Sequence, residues 1–74
     1  MEFKVINEEN ISVVLLNENE EIAKAVCYFE NTPIIDGKKI GTIGEFEAKN
    51  KEAGIKILQK CEEILKEKGV SKIV

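Results

Sequence analysis

Seventy-four residues suffice for one domain and no more, and a domain of that size buries only about 60% of the surface its unfolded chain exposes. Fourteen acidic side chains against eleven basic ones, every one of them lysine, leave a net charge of −3 and a pI near 5.0, so the basic face and guanidinium forks of a nucleic-acid binder are lacking. At 43% apolar and 34% charged the composition is that of a folded chain, and no apolar run approaches the roughly 20 residues of a bilayer span.

Residues 2–6 alternate loosely and predict a first strand, followed by the polar turn Asn7-Glu8-Glu9-Asn10. Residues 11–16 are rich in β-branched side chains and almost continuously apolar, which predicts a strand buried on both faces or one central in the sheet. A second polar turn at 17–20 leads into a third strand over 21–30. There Ala23, Ala25, Cys27 and Phe29 share one face and Ile22, Lys24, Val26 and Tyr28 the other. The small residues of the first set predict something bulky packed over them. Residues 31–38 hold Pro33 and the pair Asp36-Gly37, a strong turn signal. A fourth strand is expected over 39–47, where Gly41 and Gly44 mark a bulge or a close approach.

Residues 50–68 predict the clearest element, a helix whose apolar stripe is Gly54, Ile57, Leu58, Cys61, Ile64 and Leu65. Asn50 suits the N-cap, Glu52 the first turn, Lys66 and Lys68 the last turn, and Gly69 a left-handed terminating residue. Residues 70–74 begin a fifth strand. The expected fold class is therefore α/β in the α+β sense. Four mostly antiparallel strands lead to one amphipathic crossover helix, and a short fifth strand lies parallel to the fourth by a right-handed connection. Residues 1–74 form one domain, without repeat or linker.

Absences narrow the chemistry. The chain has no histidine, which excludes Ser-His and Cys-His nucleophilic pairs and histidine metal sites. Cys27 and Cys61 form no CxxC pattern and predict reduced, buried core thiols rather than nucleophiles. Met1 leads straight into a charged strand, so no leader is expected and a cytoplasmic location is the default. Any chemistry rests on carboxylates, lysines, Tyr28 or backbone groups.

The segment 40–58 passes from strand to helix through a tight turn, and a helix N-terminus stabilises an anionic group such as a phosphate. Gly54 near that end costs about 1 kcal/mol relative to alanine. Two explanations stand: close approach by a ligand, or close packing of the helix over Ala23 and Ala25.

Strand, turn, a motif Arg/Gln-x-x-Gly-x-Gly/Ala, amphipathic helix and strand form the acetyl-CoA signature of the GNAT superfamily of N-acyltransferases. The sequence Lys51-Glu-Ala-Gly54-Ile-Lys56, with Phe46-Glu-Ala48 before it, resembles that signature. The resemblance extends over residues 11–74 and includes the order of elements. It implies that backbone groups at Glu45, Phe46 and Glu47 face the acyl-pantetheine arm of acetyl-CoA. It further implies that amides around Lys51, Ala53, Gly54, Ile55 and Lys56 face the pyrophosphate, and that Gly44 sits at a bulge where the fourth and fifth strands splay. Lys51 replaces the fork of Arg or Gln with a point charge, and Lys56 stands where the family has a small residue. The family's helical segment between its first two strands is replaced by residues 7–10. The resemblance thus implies the N-terminal half of the fold only, a truncated domain that lacks the residue, often a tyrosine, that protonates the leaving thiolate. Tyr28 lies on the wrong strand for that role and is expected to pack on a sheet face. No catalytic residue and no metal site is assigned.

Glu45 and Glu47 form a pair of carboxylates on one strand face that would act as a base only within hydrogen-bond reach of an amine; the remaining glutamates read as turn and helix-surface charge. Three functional expectations follow. The chain is an N-acetyltransferase of this type or a fragment of one, or a binding module for acyl-CoA without chemistry, or a non-catalytic module that homodimerises through its open fifth-strand edge. No nucleic-acid or membrane partner is expected.

Overall fold

The computed structural model describes residues 1–29, 34–35 and 37–73. Its strands are β1 (Glu2–Asn7), β2 (Ile11–Asn17), β3 (Glu20–Tyr28), β4 (Ile34–Ile35), β5 (Lys38–Ala48) and β6 (Lys72–Ile73), with one helix, α1 (Lys51–Glu67), between β5 and β6. The sheet runs β1-β2-β3-β5-β4, all neighbours antiparallel, and β6 joins β5 in parallel through Ile40–Lys72 and Gly41–Ile73. Four long antiparallel strands, a crossover helix and a short parallel strand are the arrangement the sequence predicts. The two-residue β4, which pairs with Lys38 and Lys39, was not anticipated. Pro33, Asp36 and Val74, which carried parts of the turn and last-strand expectations, lie outside the described residues.

The turns follow from backbone chemistry. Glu18 and Asn19 both have positive φ, 51° and 67°. Two consecutive left-handed residues make the type I′ turn whose twist suits a two-residue hairpin between β2 and β3. Asn50 caps α1: its Oδ1 accepts from the Ala53 N–H at 2.8 Å. At the other end Lys68 is the C-cap and Gly69 follows at φ 82°. The Val70 N–H donates to Leu65 and the Gly69 N–H to Lys66, each at 3.1 Å. These two bonds form a Schellman closure, which requires the left-handed conformation that glycine adopts without a Cβ clash.

The helix covers one face of the sheet, and the core lies beneath it. Ile11, Val13 and Leu15 of β2 and Ala23, Ala25 and Cys27 of β3 pack with Ile57, Cys61 and Leu65 of α1. Burying a side chain such as Leu15, Ile57 or Leu65 contributes about 1.5–3 kcal/mol. A single helix cannot cover both faces, so of the two expectations for β2 burial on both faces fails, while the strand does lie inside the sheet between β1 and β3. Ser12, Val14 and Leu16 are only half-buried on the helix-free face, so the strand alternates despite its apolar sequence. Ile22 also departs from its expected face partners. A register shift between Leu15 and Leu16 leaves it buried in the core while Lys24 stays exposed. On α1 the stripe gains Ala53 and loses Leu58, which is 38% exposed.

Candidate functional site

The strand–turn–helix segment is shaped by one irregularity. Along β3 and β5, Val26 pairs with Gly44 and Lys24 with Glu47, so Glu45 and Phe46 together oppose Ala25. Two residues facing one is a β-bulge. The residue in the left-handed conformation is Glu45, at φ 48°, not the neighbouring Gly44. The bulge therefore lies one position beyond the expected glycine. Gly44 answers a different need: a β-carbon there would sit 2.8 Å from Cε2 of Tyr28, whose ring lies against it. The Tyr28 hydroxyl donates to the Glu45 carboxylate at 3.1 Å, a sheet-face packing role as expected. That hydrogen bond, with desolvation and the Glu45 charge behind it, raises the phenol above its ordinary pKa.

Past the bulge the chain regains its alternation. Glu47 is exposed and pairs with Lys24 at 3.3 Å, while Phe46 and Ala48 turn toward α1. A β-carbon at Gly54 would be 3.2 Å from Cζ of Phe46 and 3.4 Å from Cβ of Ala48. The glycine thus serves close packing, but against β5 rather than over Ala23 and Ala25. Glu45 and Glu47, expected as paired carboxylates, each have a different partner. Lys49 begins the connection to the helix: its N–H donates to the Ile22 carbonyl at 2.9 Å and its ammonium bonds the Glu20 carboxylate, which holds Glu20 below the usual carboxylate range.

The expected site residues fall into three groups. Glu45, Phe46 and Glu47 line an open hollow of about 420 Å³ together with Val14, Lys24 and Val26. Lys51, Ile55 and Lys56 line a second depression of about 530 Å³ with Glu52 and Gln59. Ala53 and Gly54 are buried and line neither hollow. The Ala53 N–H is taken by Asn50 Oδ1 and the Gly54 N–H by the Asn50 carbonyl at 3.0 Å. The first-turn amides without a helix carbonyl to bond are those of Lys51 and Glu52. Lys51 and Lys56 line the same depression, and the latter stands 3.9 Å from Glu52.

On its other side β5 is sparsely covered. The helical crossover brings β6 alongside only Ile40 and Gly41. From residue 43 to 48 no strand pairs with that side of β5 among the described residues. Phe46, 46% exposed, and Ile55, 47% exposed, are prominent apolar side chains of this segment. Among the described residues no three metal-ligating side chains cluster, and no helix is long and apolar enough to cross a membrane. No family model matches the chain, and no curated protein or solved structure matches it.

Proposed function

We propose that this chain is a GNAT-related module that binds acetyl-CoA and, by itself, does not transfer the acyl group. The observation that carries the proposal is the side of β5 over residues 43–48, where no strand pairs among the described residues, beside the N-terminus of α1. An extended pantetheine arm carries two amides and can add to such an edge as a strand does. The pyrophosphate would then meet the free amides of Lys51 and Glu52 and the ammonium groups of Lys51 and Lys56. Tyr28 donates its hydroxyl hydrogen bond to the Glu45 carboxylate on the helix-free face, so that hydroxyl is already engaged.

Calorimetry with acetyl-CoA tests this. Binding in the micromolar range that Lys56→Glu abolishes is expected, because the substitution replaces a phosphate counter-ion with a repelling charge. Heat that Lys56→Glu leaves unchanged would refute the phosphate assignment.

The same edge favours one other reading, a homodimer in which a second copy pairs along β5, supported by the apolar flank of Phe46 and Ile55 and the exposed Leu58. It requires a dimer in light scattering that Leu58→Lys dissociates, and no heat with acetyl-CoA. A monomer that gives no heat refutes both.

A further inference from the structure

We propose that Cys27 and Cys61 form an oxidisable pair that a small-molecule disulfide closes into an intramolecular disulfide, tying α1 to β3. Cys27 lies on the helix-facing side of β3 and Cys61 in the middle of α1, 34 positions apart. Both are fully buried, and both are free thiols. The Cys27 thiol donates to the Cys61 carbonyl oxygen, 4.0 Å from its sulfur, so the two residues touch where β3 meets α1. No charged or polar side chain is buried with them among the described residues. Both thiols thus lie where β3 meets α1, among apolar side chains of one core.

The pair is asymmetric. The neighbouring Cys61 thiol holds Cys27 below the ordinary thiol range, whereas the Cys27 thiol and burial push Cys61 upward. Exchange therefore begins at Cys27. Its thiolate attacks one sulfur of the added disulfide and expels the other as a thiolate, which takes up the proton that Cys27 lost. Once opening exposes Cys61 to water, its thiol gives up its proton. The resulting thiolate attacks the Cys27 sulfur of the mixed disulfide and expels the second small thiolate, which takes up that proton. Two protein thiols are oxidised and one reagent disulfide is reduced to two thiols. Because neither sulfur is accessible in the closed core, the first step waits on local opening of α1 from the sheet. A domain of this size has little stability to oppose such openings.

The test is to incubate the wild-type protein with oxidised glutathione, quench with N-ethylmaleimide in denaturant, and measure the intact mass. The expected product is a monomer lighter by two hydrogen atoms, with no maleimide adduct. It forms without urea and faster in urea below the unfolding transition. In Cys61→Ala the reaction is expected to stop at one glutathione on Cys27. Two maleimide adducts on the wild-type chain after prolonged oxidation would overturn the proposal. So would glutathionylated or covalently dimeric protein in place of the closed monomer, or closure seen only above the unfolding transition.

Discussion

The ring of Tyr28 lies against Gly44, with Cε2 2.8 Å from the point where a β-carbon would stand. The absence of a side chain at position 44 is what allows the ring to lie down and its hydroxyl to reach Glu45. Gly44→Val is expected to destabilise the domain by about 1–3 kcal/mol, the usual cost of forcing volume into a filled space. In a Tyr28→Ala background most of that cost should vanish. Urea unfolding of the two single variants and the double variant measures the coupling.

The Tyr28–Glu45 hydrogen bond also gives a pH signature. The folded pKa of Tyr28 lies above its ordinary value, so folding favours the protonated phenol. The stabilisation is present in full below the ordinary tyrosine range and is lost as pH rises through the folded pKa. The chain has one tyrosine and no tryptophan, so tyrosinate absorbance reports this group alone. Glu45→Gln, which removes the carboxylate charge and its stronger hydrogen bond, should move the absorbance titration down toward the ordinary tyrosine value.

Glu45 holds a positive φ that side-chain-bearing residues disfavour. Glu45→Gly should raise stability by about 1 kcal/mol, because glycine adopts this conformation without the steric cost. The exposed hydrogen bond lost with it returns only a small part of that gain. Glu45→Val should lower stability by about 1–3 kcal/mol. Thermal unfolding midpoints distinguish the two signs.

The two ends of α1 are closed by side-chain and backbone caps. Asn50→Ala should cost about 1 kcal/mol by leaving the Ala53 amide unbonded. Gly69→Ala should cost about 1 kcal/mol through its left-handed backbone. The helix separates the two sites, so the double variant should lose the sum. Urea midpoints of the three proteins check both the magnitudes and the additivity.

The helix and its caps were legible because Asn50, Gly69 and the spacing of Ile57, Cys61, Ile64 and Leu65 all act locally. The β1–β2 and β2–β3 turns were legible for the same reason. The fate of Val14 and Leu16 was not, since their burial depends on how many helices cover the sheet rather than on their own strand. Of the two expectations for Gly44, the close approach holds, made by the Tyr28 ring, while the bulge lies one residue further on at Glu45. Nothing in the residue type of Glu45 announces a left-handed backbone. Leu58 fits the helical period, yet it falls at the margin of the stripe, where the sheet no longer reaches it. At the proposed site the cluster Lys51, Ile55 and Lys56 follows from helical spacing. The engagement of the Ala53 and Gly54 amides by Asn50 follows from the same cap that marks the helix.

The central claim is that acetyl-CoA lies along β5 and against the start of α1. Amide chemical shifts of the isotope-labelled protein, followed as acetyl-CoA is added, test it residue by residue. The account predicts shifts concentrated at residues 43–48 and at the amides of Lys51 and Glu52, with the far edge strand β1 unmoved. Unchanged amides at those positions in millimolar acetyl-CoA, or shifts confined to β1, would contradict it.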